Sequence, residues 1–103
     1  MKFPDDVNTV LYVVNKNTNN VHVVDTINNN ILKSVSLGNN PTRIKYDFHN
    51  RDMFIINQED NTVNVLSTAT NTLKQLITVG DNPIDILFDE IYRDMYISNK
   101  DSN

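Results

Sequence analysis

Leu11-Tyr12-Val13-Val14-Asn15 is a short apolar run closed by an asparagine, and the chain writes it three times. The second version is Met53-Phe54-Ile55-Ile56-Asn57 and the third is Met95-Tyr96-Ile97-Ser98-Asn99. The closing asparagines stand at 15, 57 and 99, a step of 42 residues each time. The same step carries Val21 to Val63, Val23 to Val65 and Asn29 to Asn71. It carries Gly38-Asn39-Asn40-Pro41 to Gly80-Asp81-Asn82-Pro83, and Ile44, Asp47, Arg51 and Asp52 to Ile86, Asp89, Arg93 and Asp94. No gap is needed across a full period. The chain's two glycines, Gly38 and Gly80, are one period apart. Glycine supplies backbone angles that other residues avoid and proline fixes one. Their recurrence therefore predicts one turn built twice.

Each period divides into four strand-like pieces. In the complete one, Thr42 to Asp47 alternates with Ile44 and Tyr46 on one face. Met53 to Asn57, Thr62 to Leu66 and Leu73 to Val79 follow. Turn clusters separate them: His49 to Asp52, Gln58 to Asn61, Ser67 to Asn71 and the Gly80 turn. Val, Ile, Thr, Tyr and Phe dominate the apolar pieces, which favours strands. Only one alanine, Ala69, is present, and no segment has the spacing of an amphipathic helix. Four strands per period of about 40–45 residues predict an all-β fold of the β-propeller kind. The expected division is a first blade at about 1–37, a second at about 42–79 and a partial third at about 84–103.

These residues resemble the YVTN-type β-propeller repeat. The likeness runs through Tyr12-Val13-Val14-Asn15, the strand Val21-His22-Val23-Val24-Asp25, the turn Thr26 to Asn29, and Leu37-Gly38-Asn39-Asn40-Pro41. It covers essentially the whole chain. Departures are Phe54 at the tyrosine position, Ser67 at the place of Asp25, Lys33 or Gln75 where a small residue is usual, and Arg43 and Asp85 near another small position. The resemblance implies that the strand after Gly-x-x-Pro is innermost, lining a central channel, and that the fourth strand is outermost. On that map Met1-Lys2-Phe3 is the tail of an innermost strand. Blades stack face to face, and each uncovered apolar side chain forgoes roughly 1.5–3 kcal/mol. The 103 residues alone are thus expected to be marginal or sticky. The expected partners are further blades of the same protein, or other copies by self-association. A fragment of a longer chain is favoured over a closed oligomer, because ring closure needs whole blades.

Composition removes several function classes. The net charge is −4 with scattered charges, which argues against nucleic acid, a partner of basic patches. The absence of cysteine excludes disulfides, thiolate catalysis and Cys-type zinc sites. No apolar run approaches the roughly 20 residues of a membrane span. No asparagine stands in a glycosylation acceptor triplet, so the Asn-rich turns read as turn formers.

Propeller ligands sit at the channel mouth, where the resemblance puts the loops Gly38 to Arg43 and Gly80 to Asp85. The turns Lys16 to Asn19, Gln58 to Asn61 and Lys100 to Asn103 join them. Arg43 and Asp85 occupy equivalent positions with opposite charge. They are the residues expected to face the axis, as a polar ligand contact, a polar lining or an inter-blade ion pair. Asn40 and Asn82 complete the candidate contact set. His22, which takes the turn-facing position of Asn64, and His49 are read as surface histidines. Neither lies in a metal-binding spacing. Glu59-Asp60 and Asp101 lack a calcium-loop pattern, and no nucleophile motif or phosphate loop is present. No cofactor is expected. The sequence points to a non-catalytic scaffold binding a protein or small ligand, part of a longer surface or secreted protein. The alternative is a partial propeller of a lactonase-like or quinoprotein-like enzyme whose catalytic residues lie outside this chain.

Overall fold

The computed structural model describes residues 10–89 and 94–100. Among these residues nine strands follow one another: β1 Val10–Asn15, β2 Asn20–Asp25, β3 Asn30–Ser36, β4 Pro41–Asp47, β5 Asp52–Asn57, β6 Thr62–Ser67, β7 Thr72–Thr78, β8 Pro83–Asp89 and β9 Asp94–Asn99. No helix occurs among the described residues. The strands form three antiparallel sheets in chain order: β1-β2-β3, β4-β5-β6-β7 and β8-β9. The middle sheet is the four-stranded unit that the repeat predicts. Met1-Lys2-Phe3, expected as an innermost strand, lies outside the described residues, as do Arg93 and Asp101 to Asn103.

Register repeats with the sequence. Tyr12 stands opposite Val23, and Phe54 opposite Val65. An extra residue enters the outer strand beside Val23/Val24 and again beside Val65/Leu66. Another enters the first strand between Pro41 and Arg43 and again between Pro83 and Asp85. A bulge sharpens local twist and re-aims side chains, and each of these two bulges recurs one period on.

Successive residues of a strand point to opposite faces, and β5 and β6 use both. Ile55 and Leu66 join Val21 and Val35 of the first sheet in one core, with Tyr12, Val14, Leu37, Ile44 and Met53 around it. Ile56 and Val63 join Ile86 of the third sheet in the other, flanked by Phe54, Ile77, Val79 and Ile97. Ile55, Ile56 and Leu66 have no exposed surface. Among the described residues no single sheet has a core of its own. The middle one is buried because it is sandwiched, at roughly 1.5–3 kcal/mol for each aliphatic side chain covered. The sheets approach along their first strands, with β1 against β4 and both β4 and β5 against β8. β3 and β7 are exposed along most of their length. That is a wedge arrangement, close at one edge and open at the other.

Asparagine, joined by Arg51 at φ 60°, and not glycine, supplies the left-handed backbone among the described residues. Asn19 and Asn61, Asn29 and Asn71, and Asn40 and Asn82 all have φ between 55° and 59° and form three pairs one period apart. No described glycine has positive φ, which corrects the expectation drawn from Gly38 and Gly80. Asparagine tolerates this region because its short side chain hydrogen-bonds locally. Gly38 is required for space: a Cβ there would lie 2.7 Å from Asp60 Oδ2 and 2.8 Å from Asn57 Cγ.

Candidate functional site

The loops expected at one mouth do gather at one edge of the sheets, joined by a hydrogen-bonded ladder. Asn40 is its pivot. Its N–H donates to Asn19 Oδ1 of the first sheet at 3.0 Å. Its carbonyl accepts the Gln58 N–H of the second at 3.0 Å. Asn82 repeats both bonds, donating to Asn61 Oδ1 at 2.8 Å and accepting from the Lys100 N–H at 2.8 Å. Each pivot ties the linker to the sheet behind it and the sheet ahead.

Further bonds brace the first linker onto the second sheet. The Asn39 N–H donates to Asp60 Oδ2 at 2.8 Å and the Asn39 side-chain amide to Asp60 Oδ1 at 2.9 Å. The Gly38 N–H donates to Asn64 Oδ1 at 3.1 Å, and the same oxygen accepts Asn57 Nδ2 at 2.7 Å. Gln58 Nε2 donates to Asn82 Oδ1. Asn64 is buried between sheets, so its position is not turn-facing as the comparison with His22 implied. Asn57 Oδ1 and its repeat mate Asn99 Oδ1 are both buried with no hydrogen-bond partner among the described residues.

Arg43 and Asp85 lie just past the bulges of β4 and β8, and both are exposed. Arg43 Nη1 donates to the Thr42 carbonyl at 3.2 Å, and Asp85 Oδ1 accepts the Ile86 N–H at 2.8 Å. Each charge turns back on its own strand, and no ion pair joins the two. Lys74 and Asp52 form an ion pair at 3.0 Å, at the far edge of the middle sheet. The four candidate residues thus share one edge in two roles: Asn40 and Asn82 pin the backbone, and Arg43 and Asp85 stand exposed beside it. Asn19, Asp60 and Asn61, which lie in the turns expected at the mouth, and Asn64 complete the ladder although none belongs to the four-residue contact set. The recurrence of asparagine at 19 and 61 was the signal for Asn19 and Asn61.

The opposite edge holds an open cavity of about 340 Å³ between the first and second sheets, lined by Val10, Tyr12, Tyr46, Met53 and Thr68. The Tyr12 hydroxyl donates to Asn71 Oδ1 at 2.7 Å across the sheets. Burial, and secondarily Tyr46, pushes the Tyr12 phenol above its ordinary value. Among the described residues no three His, Asp or Glu side chains gather as a metal site. No described helix is long and apolar enough to cross a membrane.

Among solved structures, the chain is similar to Kuenenia stuttgartiensis hydrazine synthase, with a TM-score of 0.79 and 20% identity. The likeness covers 89% of this chain and 26% of that one. The chain is a β-propeller segment. Among the described residues its three sheets are blades, complete in the second and represented by two strands in the third. The chain spans about a quarter of that structure, and at this identity the likeness is one of fold. No family model and no curated protein matches the chain.

Proposed function

We propose that this propeller segment is a non-catalytic scaffold that presents its loop edge to a protein or polar small ligand. One observation carries the reading: side chains of that edge hold the linker backbones in place. Asn19, Asn61 and Asp60 hold the linker backbones, the Asn39 side-chain amide is braced on Asp60, and Arg43 and Asp85 remain exposed beside them. A fixed backbone lowers the ordering cost of recognition, and binding groups on rigidly supported loops are a common arrangement. Catalysis instead needs convergent reacting groups.

The proposal extends to the whole protein: a longer surface or secreted chain of the YVTN repeat type, in which further blades cover the open faces. The recurring Tyr-Val-Val-Asn-like strand endings and Gly-x-x-Pro turns support it. An export signal in the full reading frame agrees with this, and its absence contradicts the surface assignment.

Panning the immobilised chain against a random peptide library tests the scaffold. Enriched peptides are expected to lose about tenfold or more in affinity with Arg43→Glu or Asp85→Lys, the effect of removing an interface contact worth ~1.4 kcal/mol. No enrichment, or binders indifferent to both substitutions, contradicts the reading.

A further inference from the structure

We propose that the outer groove between the first and second blades binds an extended segment of a partner protein in which aliphatic and acidic side chains alternate. The inference goes beyond the loop edge and rests on the propeller reading above.

Register fixes what each wall of this groove carries. On the first blade, Lys33 stands opposite Val23 and Val35 opposite Val21. Val21 and Val35 lie in the core shared with the second blade, so Lys33, two residues from Val35, faces that blade too. On the second blade, Leu73 stands opposite Leu66 and Leu76 opposite Asn64. Leu66 belongs to the same core, and Asn64 accepts the Gly38 N–H from the linker. Leu73 and Leu76 therefore face the first blade. Val23 and Leu66 have no exposed surface, whereas Leu73 is 41% exposed and Leu76 61%. Lys33 is exposed as well. The blades meet at depth and part toward the rim. Both walls belong to blades this chain contains, and further blades stack on faces and leave the rim between these two open.

The three side chains are set for an alternating peptide. Leu66 and Asn64 are two residues apart, which separates Leu73 from Leu76 by roughly 7 Å along the strand. That is the spacing of like-facing residues in an extended chain. Val65 stands between Leu66 and Asn64 and is the repeat mate of Val23. Lys33, opposite Val23, is thus level with the gap between the two leucines. A peptide lying along the groove sets its first and third side chains on Leu73 and Leu76 and turns the second to Lys33. Charge selects that second residue. Lys33 has no hydrogen-bond or ion-pair partner among the described residues, while Lys74 of β7 is already paired with Asp52. A carboxylate complements Lys33. One period on, the position holds the uncharged Gln75. Among the described residues β3 and β7 each end their sheet, and such edges favour an extended occupant through backbone hydrogen bonds.

The test is an NMR titration of the isotope-labelled chain with a capped hexapeptide alternating leucine and aspartate. Capped peptides alternating leucine with lysine, and leucine with serine, are the comparisons. The acidic peptide is expected to bind most tightly and to shift amide resonances of both β3 and β7. Lys33→Glu and Leu76→Ser, both at exposed positions, are each expected to weaken it by about threefold or more. Lys45→Glu makes the same charge change on the inner strand β4 and is expected to leave binding unchanged. Circular dichroism verifies folding, and the shift map of the parent chain needs no variant. Absence of binding overturns the proposal, as does equal binding of the lysine or serine peptide. A map confined to one wall, to the loop edge or to the open blade faces also overturns it, as does indifference to Lys33→Glu. Such a failure leaves the loop-edge function standing, because Arg43 and Asp85 report on that.

Discussion

Asn82 donates its N–H to the side-chain oxygen of Asn61 at 2.8 Å, and Asn61 itself sits at φ 56°. One blade earlier Asn40 and Asn19 do the same at 3.0 Å, with Asn19 also at φ 56°. The position needs a residue that accepts the left-handed region and carries an acceptor. Asn61→Gly keeps the first property and loses the hydrogen bond, for a cost of about 1 kcal/mol. Asn61→Ala loses both and adds about 1–2 kcal/mol of backbone strain. Urea unfolding of the three proteins is expected to rank parent above glycine above alanine.

Gly38 is needed for room. Its Cβ would meet Asp60, whose exposed carboxylate can move, and also Asn57, which is fully buried and cannot. Gly38→Ala is expected to destabilise by about 1–3 kcal/mol, the usual range for overpacking, read from the same unfolding curves.

Burial by neighbours predicts unequal costs at equivalent sites. Ile55 is enclosed by the first blade, and Ile55→Ala is expected to cost about 2–5 kcal/mol. Val13, its repeat mate, has no blade behind it among the described residues, and Val13→Ala is expected to cost less than about 1 kcal/mol. Measurement at a concentration low enough to keep the chain monomeric isolates the comparison.

Tyr12 makes stability depend on alkaline pH. Its phenol is held above its ordinary value of 10.0 by burial, then by Tyr46, and its hydroxyl donates to Asn71. The folded state therefore holds this proton more tightly than the unfolded state. The contribution is fully present below the unfolded value near pH 10 and is lost as pH rises through the folded value. Tyr12→Phe is expected to flatten that alkaline fall relative to the parent when stability is followed between pH 8 and about 11.5.

Most of the architecture was legible because the period is written into residues with strong local preferences. The Asn15, Asn57 and Asn99 strand endings located the units, and the alternation in Thr42 to Asp47 located a strand. The two glycines misled, because glycine advertises positive φ while Asn19, Asn40, Asn61 and Asn82 adopt it. A turn-facing position for Asn64 does not hold. The residue is buried because Gly38 and Asn57 both donate to it. The opposite charges of Arg43 and Asp85 suggested a pair, but pairing depends on side-chain direction beyond each bulge, which composition does not encode. Whether these two bind a ligand is a separate question, answered by the peptide selection.

The central claim is that blade two lies between blades one and three, sharing one face with each. Methyl NOE spectroscopy on the isotope-labelled chain tests it most directly. Cross-peaks are expected from Val21 and Val35 to Ile55 and Leu66, and separately from Ile56 and Val63 to Ile86, matching the two cores. Cross-peaks from Val21 or Val35 to Ile86 would put the first and third sheets against each other, as in a sandwich, and would contradict the stacked-blade account.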